Sequence, residues 1–103
     1  MDKKFAHIVY FWLRKDLSQE ERQRFEDSVR SLETIDTLDY YHLGVPASTD
    51  RPVIDRSYDF NLLCLFKNKA DHDAYQVDPI HDRFRDDCSQ LWEKVVIYDS
   101  VEP

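Results

Sequence analysis

The sequence predicts an α+β fold, a four-stranded antiparallel sheet with helices against one face. Three observations predict it. Four short runs are rich in aromatic and β-branched residues, as strands are. Two charged stretches carry apolar residues at helical spacing. Their order along the chain is strand, helix, strand, strand, helix pair, strand, which segregates helices from an antiparallel sheet.

The first run, FAHIVYFWL at residues 5–13, is too short and too β-branched for a free helix. As a strand it turns Phe5, His7, Val9, Phe11 and Leu13 to one face and Ala6, Ile8, Tyr10 and Trp12 to the other. In the segment LSQEERQRFEDSVRSLETI, Ser18 followed by Glu21 is a capping box, and Phe25, Val29 and Leu32 make an apolar stripe. A helix is therefore predicted over about residues 18–34. TLDYYHLGV reads as a second strand that stops in a turn at Gly44, the only glycine. Residues 46–57, with two prolines, read as a loop.

Residues 57–66 are the third predicted strand, with Tyr58, Phe60, Leu62, Cys64 and Phe66 on one face. Asn68 caps a short helix carrying Ala70, Ala74 and Tyr75. Asp78 before Pro79 restarts a helix, predicted to run to about Glu93 with Ile80, Phe84, Cys88 and Leu91 along it. KVVIYDSV closes the chain as a strand that is apolar on both sides at Val95, Val96, Ile97 and Tyr98. This β-α-β-β-α-β order fits the ferredoxin-like arrangement as a single domain over residues 1–103. Helices cover only one face of such a sheet, so the other is expected to be buried by a second copy, giving a homodimer.

Composition narrows the functions. A hydrophobic fraction of 42% argues for a folded core despite 34% charged residues. With 14 basic and 21 acidic residues the net charge is −7, and no basic stripe offsets it, which argues against nucleic-acid binding. The opening apolar run meets Arg14 and Lys15 without a small-residue cleavage site, so neither a signal peptide nor a membrane span is expected, and the location is read as cytoplasmic. Cys64 and Cys88 lack CxxC spacing and read as buried apolar residues. His72 lies between Asp71 and Asp73, and the acids near His81 continue the pattern. Without a second converging histidine these groups read as a solvated face, and no metal site is predicted. His42 has no recognisable partner.

Four segments carry a family resemblance: His7-Ile8-Val9, Ser57-Tyr58-Asp59-Phe60, the block from Ala74-Tyr75 through Asp78-Pro79-Ile80-His81, and Trp92 through Asp99. Together they make the chain resemble the stress-responsive dimeric α/β-barrel (Dabb) family. The resemblance implies an antiparallel sheet that dimerises into a barrel, often without a known reaction. It also implies similarity to a plant polyketide cyclase of the family, in which a tyrosine and a histidine at the positions of Tyr75 and His81 supply acid/base catalysis without a cofactor. A pocket histidine there corresponds to His7. That cyclase has further histidines where this chain has Phe60 and Asp78, so its substrate does not transfer.

Such chemistry is physically reasonable for these residue types. An aldol closure needs a base near a carbonyl, which an imidazole of pKa about 6.5 supplies. It also needs a donor for the enolate oxygen, which a phenol supplies. The predicted catalytic pair is Tyr75 and His81; His7, Phe11, Tyr58 and Phe60, with Trp12, are the predicted ligand walls. Three readings follow: a homodimer with an interior pocket for a small apolar carbonyl compound, a non-enzymatic stress-associated dimer with a packed interior, and a haem-handling monooxygenase-like barrel. A pocket on the order of 300 Å³ separates the first from the second.

Overall fold

The computed structural model describes residues 2–103. Strand β1 (Phe5–Leu13) is followed by helix α1 (Gln19–Ser31) and a short 3₁₀ turn at Leu32–Thr34. Strands β2 (Tyr40–Gly44) and β3 (Phe60–Phe66), helices α2 (Lys69–Gln76) and α3 (Pro79–Cys88), and strand β4 (Trp92–Val101) complete the chain. The sheet order is β2-β3-β1-β4, antiparallel throughout. This is the ferredoxin-like fold that the element order predicts.

The central strand decides the packing. Every second residue of β1, from Phe5 to Leu13, is buried under the helices, and those between are only half-covered. Ser18 caps α1 as its spacing indicates: the Glu21 amide donates to the Ser18 hydroxyl at 3.1 Å, and the Ser18 amide donates to the Glu21 carboxylate at 2.9 Å. That fixes the helix so that Phe25 and Val29 face the sheet, fully buried. Phe25 meets Phe11 at 5.1 Å and Phe60 at 5.4 Å between ring centroids, the centre of the core.

Three local expectations change. Asp59 interrupts the alternation before β3: its carboxylate accepts the Leu13 amide at 2.7 Å, and its own amide donates to Phe11 O at 2.8 Å. The strand therefore starts at Phe60, and Tyr58 falls on the opposite side, its ring 4.9 Å from that of Tyr10. Next, α3 stops at Cys88 rather than near Glu93, because Trp92 pairs with Leu13 and starts β4 two residues early. Sheet pairing, a long-range contact, overrides a helical pattern there. Last, Gly44 ends β2 with no left-handed backbone; a Cβ would meet Asn61 Oδ1 at 2.5 Å and His42 Nε2 at 2.7 Å, so it is kept small by its neighbours.

Both cysteines are buried and free, as expected. No helix among the described residues is long and apolar enough to cross a membrane.

Candidate functional site

A cavity of about 270 Å³ lies between the sheet and the α2–α3 pair. Its floor is His7, Val9 and Phe11 of β1 with Val95 and Ile97 of β4. Its roof is Tyr75 and Gln76 of α2, and His81, Phe84 and Arg85 of α3. The reason for the gap is topological. β4 is an edge strand, and its floor residues Val95 and Ile97 remain 38% and 52% exposed under a helical layer that covers the other strands.

The break between α2 and α3 joins the candidate pair. Asp78 caps α3 by accepting the Ile80 amide at 2.8 Å, with Pro79 at the first helical position. Tyr75 in the last turn of α2 and His81 in the first turn of α3 are thereby turned toward each other. Their rings stand edge to face with centroids 5.0 Å apart, and both line the cavity. A continuous helix would have separated residues six positions apart by nearly two turns.

Burial tunes both groups toward their neutral forms. Tyr75 is fully buried, and the cost of desolvating a phenolate holds its pKa far above the usual tyrosine value, with Cys64 and Tyr41 adding to the effect. It is a phenol, and so a donor, at any physiological pH. Cys64, pushed up to about 12 by burial, donates a weak 3.7 Å hydrogen bond to the Tyr75 hydroxyl. The His81 pKa is lowered, first by burial and then by Arg85 and His7. Among the described residues its Nδ1 is buried with no hydrogen-bond partner. Buried polar atoms are almost always paired, so this one stands out as an exception.

His7 stands at the far side of Tyr75, its ring 5.9 Å away. Its Nδ1 lies 2.6 Å from Asp99 Oδ1, across the β1–β4 pair where His7 opposes Asp99. Its pKa is lowered, first by burial, against the raising effect of Asp99. The Gln76 carboxamide nitrogen lies 3.4 Å from His7 Nε2 and 3.4 Å from His72 Nε2.

The other predicted wall residues divide. Phe11 lines the cavity. Phe60 is buried on the same side but packs on Phe25, away from the cavity wall. Tyr58 and Trp12 belong to an open hollow on the other face of the sheet, where the Trp12 indole donates to the Ser57 hydroxyl at 3.1 Å and Lys94 sits 4.5 Å over the Trp12 ring. They cannot share a guest with Tyr75 and His81.

His72 is the largest departure. It is buried, not solvated, with its ring stacked on Phe5 at 4.1 Å and tilted against that of His7 at 5.1 Å. Of the residues that α2 carries, Ala70 and Ala74 are exposed. The inner face carries His72, Tyr75 and Gln76, a set at i, i+3, i+4 that helical spacing alone could have revealed. Asp99 and Arg85 were missed because no local signal points from them to the cavity.

The family model for the stress responsive A/B barrel domain matches residues 5–102. The chain belongs to that family, Dabb. A Dabb family protein with a ferredoxin-like fold from Mesorhizobium loti is 25% identical, with a TM-score of 0.79 and coverage of 99% of each chain. A dimeric ferredoxin-like protein of unknown function from Thermobifida fusca is 17% identical, with a TM-score of 0.79 over 99% of this chain and 93% of that one. The hydroxynitrile lyase of Passiflora edulis is 19% identical, with a TM-score of 0.80 over 100% of this chain and 96% of the lyase. No curated protein sequence matches the chain. The Dabb assignment thus agrees with the resemblance carried by the four sequence segments.

Proposed function

We propose that this Dabb protein binds a compact apolar carbonyl compound in the cavity beneath α2 and α3, and that Tyr75 and His81 act on it as a cofactor-independent acid/base pair. The observation that carries the reading is that Tyr75 and His81, whose buried Nδ1 has no partner among the described residues, line one cavity with their rings 5.0 Å apart. The neutral imidazole takes a proton from the carbon next to the carbonyl. The phenol donates a hydrogen bond to the enolate oxygen that forms; the enolate carbon then attacks a second carbonyl, as in a cyclase, or expels a leaving group, as in a lyase, and the imidazolium returns its proton to the resulting alkoxide or to the departing group.

Size supports a small guest. A volume of about 270 Å³ is near the lower end for ligand pockets, on the order of 300 Å³. It favours a single-ring compound over a haem and is larger than the voids of a merely packed interior. The Passiflora neighbour is a lyase, so this fold accommodates lyase chemistry. As the Thermobifida neighbour is a dimer, we extend the same assembly to this chain, with the open sheet face as the interface.

A thermal-shift screen of small aromatic and polyketide-like carbonyl compounds tests the site in wild type, His81→Ala and Tyr75→Phe. A ligand at about one hundred times its Kd stabilises the fold by about 2.7 kcal/mol. Hits that both variants lose while remaining folded are the expected result. A screen with no hits, or hits indifferent to both substitutions, leaves the packed dimer as the better reading.

A further inference from the structure

We propose that His7 of β1 with His72 and Gln76 of α2, beside the Asp99 carboxylate of β4, form a binding site for a divalent transition-metal cation of the imidazole-preferring class, such as zinc, cobalt or nickel. This goes beyond the acid/base reading and does not depend on it.

The geometry is that of a histidine metal site. A ring nitrogen of His7, one of His72 and a carboxylate oxygen of Asp99 all lie within 4.8 Å of one another. Each imidazole has one nitrogen engaged by a carboxylate: His7 Nδ1 with Asp99 at 2.6 Å and His72 Nδ1 with Asp73 at 3.1 Å. Each has Nε2 directed at one shared point, the Gln76 carboxamide, 3.4 Å from both. With the Nδ1 protons given to the carboxylates, both Nε2 atoms present lone pairs to that point. The Gln76 NH₂ group, with two hydrogens, can satisfy both at once. The carboxylate–imidazole arrangement is what orients metal-binding histidines and raises their basicity.

Ligand chemistry then selects the cation. Two neutral imidazoles favour zinc, copper or nickel over calcium or magnesium, which prefer oxygen. His72 and Gln76 are i and i+4 on one helix, so they share a face, and a half-turn of the carboxamide presents its oxygen instead of its nitrogen. Asp99 supplies negative charge beside the dication, and the chain carries −7 overall. His7 and Gln76 also line the cavity, so a bound cation stands at its wall.

The test uses the full chain without an affinity tag, stripped with a chelator. Zinc is titrated by calorimetry, and cobalt is followed by its visible absorption, which reports coordination number. One equivalent per chain with a low-coordinate cobalt spectrum is expected, lost in His72→Ala. Asp73 is exposed, and its carboxylate pairs with Lys69 and His72, so Asp73→Ala leaves the core intact. It should weaken binding about 10–100-fold, the usual loss for an outer partner. Should His72→Ala fail to fold, Gln76→Ala together with Asp73→Ala decides. Absence of stoichiometric binding, or binding unchanged in these variants, overturns the site. Because the carbonyl screen runs in chelator and the zinc titration runs without a carbonyl compound, either reading can fail alone.

Discussion

His81 is held neutral by its surroundings: burial first, then the Arg85 guanidinium and His7, against weaker opposition from Asp82 and Asp78. Its folded pKa therefore lies below the value of about 6.5 for a free imidazole. The sign for stability follows. Above that value both states are neutral and His81 adds no pH dependence; as pH falls through it the unfolded chain takes the proton first, so stability declines until the folded pKa is reached. NMR titration of the His81 ring in chelator-containing buffer should give a midpoint below that of a free histidine. Arg85→Gln removes one of the lowering influences and should move the midpoint upward. A midpoint unmoved by Arg85→Gln would mean that the guanidinium does not face the ring. Of the residues at this site, Tyr75, His81, His7 and Phe11 were legible in the sequence as types within recognisable segments. Tyr58 was misplaced because a single side chain, Asp59, turns inward to bond the backbone of β1.

Among the elements, the α2–α3 break determines the site. Asp78 and Pro79 stop one helix and start the next, and the signals for this are local: an acceptor at the cap and a residue with fixed φ and no amide hydrogen. Asp78→Ala should lower stability by about 1 kcal/mol, the usual loss for a helix cap, measured by denaturant unfolding. It should also weaken any cavity ligand, because His81 rides in the first turn of α3. Loss of stability with ligand affinity intact would show that the cap holds the helix but not the pair. The inner face of α2 was harder to read. The two alanines are exposed, and His72 and Tyr75 face inward, where Phe5, Phe66 and His7 offer them aromatic edges and faces. Alanine gains little from burial compared with those rings.

For the whole molecule, the sheet has one covered and one open face. On the open side Tyr10 meets Tyr58 and Tyr98, and Tyr98 is 63% exposed. Together with the half-covered alternate residues of β1, these rings leave an apolar patch on the open face. Light scattering at micromolar concentration should give the mass of two chains, close to twice 12.4 kDa. Tyr98→Glu, which places a charge on that face, should shift the population toward a single chain. A wild-type monomer would refute the proposed dimer. The cavity lies on the opposite side of the sheet from this face, so the two substitutions Tyr98→Glu and His81→Ala should act independently.

The sequence by itself determined the element order, the three helix caps, the alternation of β1 and the family, because each rests on contacts between residues close in the chain or on a recognisable motif. It determined which residue types stood ready for chemistry. Only the tertiary structure decided which of them meet. Strand register sets His7 opposite Asp99, 92 residues later. The packing of α2 on β1 brings His72 beside His7, and the edge position of β4 leaves the cavity open. These are long-range placements, made by burying apolar surface that the whole chain supplies, and no window of the sequence contains them.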